Sequence, residues 1–170
     1  IGGNSPHTYV INDDDNSRKI FFSSETGSVT EGNTTFAVNV EINDPSSNPT
    51  EADYAVTGGT ATGGGDDFTL SAGTATVPGD NTSTTTTFDI TINDDANFEG
   101  DETVIVELSN PQNANLGDGS STQPTTFTLT IIDDESPPTV EFNPVTTNGD
   151  ESISSVDLTV EQSTTTATDT

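Results

Sequence analysis

The sequence repeats itself at a fixed distance, and this repeat limits the architectures that the chain can form. Two stretches that begin with an isoleucine and end in an acidic triplet, at 11–15 and 131–135, lie 120 positions apart. The similarity continues from 20–40 to 140–160 without an insertion or deletion. Self-similarity at a fixed period indicates structural units in tandem. We therefore expect the last strand of a preceding unit in residues 1–15, a complete domain in residues 16–135 and the opening strands of the next unit in residues 136–170.

Within residues 16–135, apolar and polar residues alternate in short runs. Alternation with a period of two predicts strands with one buried face, and the abundant threonine suits strands. Turn residues such as Gly58, Gly59, Asn110 and Pro111 separate the runs. The predicted strands are 19–23, 34–42, 52–57, 74–77, 83–92, 102–109 and 125–132. About seven short strands at this spacing predict an all-β fold, an antiparallel β-sandwich, here in tandem repeat.

The chain is strongly acidic, and its acids cluster between the predicted strands. It carries 29 acidic against two basic residues, a formal net charge of -27. Two carboxylates 4 Å apart repel by about 4 kcal/mol at an effective dielectric constant near 20, so a compact state needs multivalent cations. Calcium is the natural candidate because it takes oxygen ligands only. The clustered acids are Glu31, Asp66, Asp67, Asp94, Asp95, Glu99, Asp101, Glu102, Asp133, Asp134 and Glu135.

Composition also argues against several classes of function. With Arg18 and Lys19 as the only basic residues, binding to nucleic acid or to anionic lipid is disfavoured. No apolar run approaches the roughly 20 residues that span a bilayer, so we expect no membrane insertion. The single histidine, His7, lies outside the complete domain, and the chain has no cysteine, so no Ser-His or Cys-His pair can form there. We expect no enzymatic activity.

The segment 93–102 is the strongest single candidate for a metal site. It supplies several carboxylates and free backbone carbonyls within one loop between two predicted strands, as a calcium ion with about 6–8 oxygen ligands requires. The alternative is that these acids are only a solvated face, the usual role of a charge run. In a sandwich with these strands, Glu31, Asp67 and residues 133–135 converge on the same loop, which favours the metal site.

Five ordered blocks of residues 16–135 resemble the Calx-beta domain family. Two departures from the family pattern are Phe68 in place of a tyrosine and Glu135 in place of an aspartate, and neither removes an oxygen ligand. The matching blocks are Ser28-Val29-Thr30-Glu31-Gly32, Gly59-Thr60-Ala61-Thr62 with Gly65-Asp66-Asp67-Phe68, Ile92-Asn93-Asp94-Asp95 with Phe98-Glu99-Gly100-Asp101-Glu102, Leu108-Ser109-Asn110-Pro111, and Thr130-Ile131-Ile132-Asp133-Asp134-Glu135.

The resemblance implies an immunoglobulin-like sandwich with a cluster of calcium ions at one end. Nine side-chain carboxylates match family ligands and offer eighteen oxygens; at about 6–8 ligands per ion, with bridging, they would serve roughly two to four Ca²⁺ per repeat. Asn97 matches the position that offers a backbone carbonyl. The implied ligands are Glu31, Asp67, Asp94, Asp95, Asn97, Glu99, Glu102, Asp133, Asp134 and Glu135.

The same resemblance suggests two biological settings. Abutting repeats, few basic residues and abundant threonine favour a calcium-binding structural module that rigidifies a long extracellular adhesin or filament on a bacterial surface. The alternatives are a calcium-sensing regulatory domain of a membrane transporter, as in sodium–calcium exchangers, and a ligand-binding adhesion module. The expected partners are neighbouring repeats of the same chain, with strand exchange between molecules or a surface ligand as further candidates.

Overall fold

The architecture is all-β. The computed structural model describes residues 17–32, 34–143 and 146–163, so the prediction for residues 1–15 lies outside the described residues. Nothing in these ranges is a helix long and apolar enough to cross a membrane. The strands are β1 (Lys19–Phe22), β2 (Thr26–Thr30), β3 (Thr34–Ile42), β4 (Thr50–Gly59), β5 (Phe68–Thr69), β6 (Gly73–Val77), β7 (Thr85–Ile92), β8 (Glu102–Gln112), β9 (Asn115–Leu116), β10 (Thr126–Ile132), β11 (Val140–Asn143) and β12 (Thr159–Gln162).

Ten of these strands form two five-stranded sheets. One sheet has the order β5-β7-β3-β1-β9 and the other the order β2-β10-β8-β4-β6, whereas β11 and β12 pair only with each other. The strand pairs are antiparallel except β1 with β9 and β2 with β10. The two sheets face each other as a sandwich, which confirms the predicted all-β sandwich fold; its tandem repetition stays a prediction.

The inward residues of both sheets form one hydrophobic core. Phe22 is fully buried and its ring centroid lies 5.8 Å from that of Phe127 and 6.5 Å from that of Phe88. Burying a large apolar side chain stabilises a fold by about 1.5–3 kcal/mol, so this core carries the stability of the domain. Its members are Ile20, Phe22, Val38, Val40, Ile42, Ala52, Phe68, Ala75, Val77, Phe88, Ile90, Ile92, Val104, Val106, Leu108, Phe127, Leu129 and Ile131.

The seven predicted strands are all present, and the sandwich contains three more that the pattern did not indicate: β2, β5 and β9. Both β5 and β9 have two residues, too few for alternation to be visible. β2 has small side chains because it passes beneath aromatic rings. A Cβ atom on Gly27 would lie 2.5 Å from Phe36 Cζ and 2.9 Å from Phe127 Cζ. Glycine in this strand therefore reflects a close approach rather than a turn.

Candidate metal centre

Strand ends bring the acidic segments to one end of the sandwich. β7 ends at Ile92 and β8 begins at Glu102, so the loop 93–101 crosses between the sheets at this end. β10 ends here at Ile132, because it runs antiparallel to β8. β2 runs parallel to β10, and the Glu31 amide donates to the Ile132 carbonyl at 2.9 Å. A parallel pairing therefore delivers the early glutamate to the terminal acidic triplet.

Two triads of carboxylates form at this end. In the first, Glu31, Asp133 and Glu135 each place one oxygen within 4.8 Å of the others. In the second, Asp67, Asp95 and Glu99 do the same. We call the part of the molecule that contains these six residues the acidic end. Its oxygens are close enough together for one cation to contact three of them.

Backbone amides orient Asp133 of the first triad towards the loop that carries Glu99 of the second. Its Oδ2 accepts hydrogen bonds from the amides of Glu99, at 2.6 Å, and Gly100, and its Oδ1 accepts one from the amide of Glu135 at 2.8 Å. Gly100 has a φ of +83°, which glycine adopts without strain. Burial opposes ionisation of Asp133, but these donors together hold its pKa below the usual value. Asp133 is therefore a preformed anion that ties the 93–101 loop to the end of β10.

Asp67 is held in a similar way in the second triad. Its side chain is 5% exposed, and its Oδ2 accepts a hydrogen bond from the Thr62 amide at 2.5 Å. Its carbonyl accepts from the Asn93 amide at 2.9 Å, which links β5 to the beginning of the 93–101 loop. Asp66 is exposed and contributes its carbonyl to Asn93 Nδ2 at 3.0 Å. Of this acidic pair, Asp67 is the one turned into the site.

Several carboxyl groups of this cluster resist ionisation. Burial, followed by the charges of Asp95 and Glu135, raises the pKa of Glu31 to about 7. The pKa of Glu102 also rises to about 7, through burial and its interaction with Asp67. Burial and the neighbouring Asp133 do the same for Glu135. Burial and the charges of Asp67 and Asp95 also raise the pKa of Glu99. Without a cation, the cluster cannot hold its full negative charge at neutral pH without cost.

Glu135 provides the sharpest indication that a cation belongs here. Its side chain is only 6% exposed, and neither carboxylate oxygen has a hydrogen-bond partner among the described residues. A buried carboxylate without partners is costly unless a cation or a proton satisfies it. The basic residue Arg18 cannot neutralise Glu135, because it forms an ion pair with Asp44, which follows the end of β3 that lies away from this site. Carboxylate oxygens without nitrogen or sulfur ligands suit Ca²⁺, so the residues present fit the metal that the sequence predicts.

The remaining predicted ligands lie around the triads. Glu102 is half-buried and interacts with Asp67. Asp134 is half-buried outside both triads, and Asp94 is exposed. Asn97 donates from its amide to Asp95 Oδ1 at 2.7 Å and from Nδ2 to Asp95 Oδ2 at 3.2 Å, so it positions a neighbouring ligand.

Sequence reasoning did not single out the amides that orient these carboxylates. The amide of Thr62 orients Asp67, and that of Gly100 orients Asp133. The glycine inside the acidic segment 99–102 is the signal that could have indicated the second of these donors.

An all-β sandwich with an acidic, oxygen-rich end is thus defined by fold and site together. The profile of the Calx-beta domain family matches residues 13–135. This chain therefore belongs to the Calx-beta domain family, whose members bind calcium. A search of curated protein sequences finds no match to this chain.

Solved structures agree with this assignment. The chain is similar to the apo form of the Calx CBD1 domain, with a TM-score of 0.61 and 28% identity over 70% of this chain and 99% of that one. It is also similar to calcium binding domain CBD12 of CALX1.1, with a TM-score of 0.57 and 28% identity over 68% of this chain and 46% of that one. The Calx CBD2 domain, at 15% identity and a TM-score of 0.54, shares the fold.

Proposed function

We propose that this domain takes up more than one Ca²⁺ at its acidic end. The observation that carries the proposal is the pair of carboxylate triads together with the buried, unpartnered oxygens of Glu135. Bound calcium supplies the positive charge that allows the acids to ionise side by side. We assign the domain a binding role and no catalysis.

The ligands divide by location. Glu31, Asp133 and Glu135 would hold one ion, and Asp67, Asp95 and Glu99 a second. Asp133 also bonds to the backbone that carries Glu99, so the two ions would not bind independently. Glu102 and Asp134 are both half-buried at this end and would be additional ligands, which complete the coordination of these two ions or bind further ions.

Calcium at this position would act on the segment that leaves the domain. Residues 133–135 lead directly into Ser136, Pro137 and Pro138, and two prolines restrict the backbone. Neutralising the triplet would hold the 93–101 loop more firmly on the end of β10, where Asp133 already bonds to it, and would set the direction of the segment that leaves the domain. The domain would then convert calcium concentration into the stiffness or orientation of the chain that follows.

Two biological uses of this response differ in the affinity that they require. Sensing inside a cell needs dissociation constants of about 10⁻⁷–10⁻⁵ M, whereas extracellular modules bind at about 10⁻⁴–10⁻³ M. The similarity to the calcium binding domain CBD12 of CALX1.1 favours the sensing role. The net charge of -27 supports the role as a stiffening module of an extracellular bacterial adhesin, which stays a prediction from composition and repeats.

Calorimetric titration of the full chain with CaCl₂ tests the proposal. We expect more than one ion per chain, and the dissociation constants separate the two uses. Glu135→Gln removes one buried ligand and should weaken at least one ion about tenfold, or about 1.4 kcal/mol. Glu107→Gln makes the same chemical change at an exposed position on β8 and should leave binding unchanged. Equal isotherms for both variants, or no binding by the parent chain, would contradict the proposal.

Small-angle X-ray scattering of the full chain tests the effect on the exit segment. We expect the radius of gyration to change between saturating calcium and chelator. Glu135→Gln should reduce that change while Glu107→Gln preserves it. Identical scattering in both conditions would leave calcium binding intact but remove its proposed mechanical consequence.

A further inference from the structure

The hairpin of β11 and β12 has the strand register of two strands in the sandwich. In the sandwich, β1 pairs with β3 so that Ile20 faces Ile42, Phe21 faces Glu41 and Phe22 faces Val40. Adding 120 to each number gives the register of the hairpin, in which Val140 faces Gln162, Glu141 faces Glu161 and Phe142 faces Val160. The internal repeat of the sequence is therefore also a repeat of strand pairing.

The hydrogen bonds at the open end of the two pairs correspond as well. In the sandwich, the Lys19 amide donates to Asn43 Oδ1 at 2.8 Å, and the Asn43 amide donates to the Lys19 carbonyl at 3.3 Å. In the hairpin, the Thr139 amide donates to Ser163 Oγ at 2.8 Å, and the Ser163 amide donates to the Thr139 carbonyl at 2.8 Å. In both pairs, a side-chain oxygen at the equivalent position, 43 or 163, therefore accepts the last hydrogen bond.

Burial is where the two pairs differ. Ile20, Phe22 and Val40 are fully buried. Their counterparts in the hairpin expose more than half of their surface: Val140 68%, Phe142 54% and Val160 58%. Val156 and Leu158 are exposed to a similar extent, although their counterparts Phe36 and Val38 pack in or against the core. The hairpin therefore presents the inner face of a sandwich without its covering sheet.

Strand formation stops where particular partners are missing. β3 begins at Thr34 because its first residues pair with β7. The counterpart β12 begins only at Thr159, so residues 154–158 correspond to the part of β3 that pairs with β7 and not with β1. Residues 146–150 correspond to β2, which pairs only with β10, and they form no strand. The segments without strand structure are therefore those whose counterparts in the sandwich pair with β7 or β10.

We propose that residues 136–163 are the opening strands of a second Calx-beta sandwich, and that their apolar face binds the remaining strands of such a sandwich, the counterparts of β4 to β10. A second copy of this chain is a poorer occupant. Its β7 lies between β5 and β3 and its β10 between β2 and β8, so neither can be donated without opening a complete sandwich. This inference depends on pairing and burial, not on calcium.

The proposal can be tested by completing the second sandwich with this protein's own strands. Residues 44–135 are joined after Ser163, which occupies the position of Asn43. The extended chain and the original 170-residue chain are compared by amide hydrogen exchange at residues 140–143 and 159–162. We expect exchange to slow by roughly a hundredfold or more in the extended chain. Exchange at residues 19–22 provides an internal measure that the first sandwich is folded.

Two variants of the extended chain distinguish core packing from chance association. Phe142→Asp should abolish the added protection at β11 and β12, and Phe142→Leu should restore most of it. Asp157→Asn, at the counterpart of the exposed Ala37, should leave it unchanged. Unprotected hairpins in the extended chain, or protection insensitive to Phe142→Asp, would overturn the proposal. Dimers of the 170-residue chain with a protected hairpin would instead assign the face to a second copy.

Discussion

The two ends of the sandwich satisfy their polar groups in different ways. β3 begins at the acidic end, where Thr34 faces Ile92, and finishes at Ile42 beside Arg18. At this Arg18 end, the guanidinium donates to the carbonyls of Asp44 at 2.8 Å, Pro45 at 3.1 Å and Asn113 at 3.2 Å. The Arg18 end therefore contains its own cation, whereas among the residues that the structure describes the acidic end presents carboxylates and the amides that orient them, without a basic side chain.

The two ends accordingly differ in the pKa of their acids, apart from Asp133, whose pKa is lowered by backbone amides although it lies at the acidic end. At the Arg18 end, Asp80 accepts hydrogen bonds from the amides of Thr82, at 2.8 Å, and Ser83, at 2.6 Å, and from the Ser83 hydroxyl at 2.7 Å. These donors hold the pKa of Asp80 below its usual value. At the acidic end, burial raises the pKa of Glu31 and Glu135 to about 7. Hydrogen-bond donors within one loop can therefore satisfy a single carboxylate such as Asp80. A crowded cluster of carboxylates instead requires a cation from outside the chain.

Removing calcium should have the largest effect, and it should fall on one end only. For the micromolar affinity of a sensing module, we expect the melting temperature in chelator to drop by about 10 °C or more, because millimolar calcium is then about a thousandfold above the dissociation constant and stabilises by about 4 kcal/mol. Calorimetric melting in millimolar calcium and in chelator measures the shift. Hydrogen exchange should accelerate in the 93–101 loop and remain unchanged around Asp80. Uniform acceleration at both ends would remove the distinction between them.

Arg18→Ala should disturb the Arg18 end alone. It removes three hydrogen bonds and the 3.5 Å ion pair with Asp44, and we expect a loss of about 2 kcal/mol. Chemical denaturation should give the same loss in calcium and in chelator, because the acidic end is untouched. Lys19→Ala removes the same charge and should cost less. A loss that depends on calcium would show that the two ends are coupled.

Lowering the pH should stabilise the metal-free protein. Glu31, Glu102 and Glu135 have folded pKa values of about 7, raised from 4.5 chiefly by burial. A raised folded pKa means that stability from these groups is complete below 4.5 and is lost as the pH rises towards 7. In chelator, the melting temperature should be a few degrees higher at pH 5.5 than at pH 7.5.

In saturating calcium, the same change of pH should lower the melting temperature, because protons compete with the ions for the carboxylates. The lowered pKa values of Asp80 and Asp133 act below this range of pH. Parallel pH profiles in calcium and chelator would contradict this assignment.

The sequence predicted the long strands and the acidic end, but not the details that depend on tertiary contacts. Alternation located β3, β7 and β10 because each buries one face. Adjacent residues in an extended chain point to opposite sides, so an acidic pair can turn only one member towards the centre. The family resemblance already assigned Asp67 rather than Asp66 to the site, but it included both Asp94 and Asp95 and did not say that Asp95 turns inward while Asp94 is exposed. That choice depends on the loops that pack around them.

The smallest expected effect comes from replacing single glycines in loops. Comparing two of them separates the cost of backbone strain from the loss of a hydrogen bond that orients a metal ligand. Gly100 and Gly119 have φ values of +83° and +76°, and a Cβ atom at either would have open space. Alanine at either position should therefore cost about 1 kcal/mol through the left-handed backbone alone. Of these two glycines, Gly100 donates its amide to Asp133 at the acidic end. The Gly119 amide donates to the Gln123 carbonyl at 3.2 Å, away from that end.

Gly100→Ala should therefore weaken calcium binding severalfold, and Gly119→Ala should not, although both lower the melting temperature by a similar few degrees. Calorimetric titration and melting of the two variants measure both quantities on the same samples. Equal calcium affinities would mean that the orientation of Asp133 does not depend on this amide. The cost of Gly100→Ala would then be backbone strain alone, with no contribution from the acidic end.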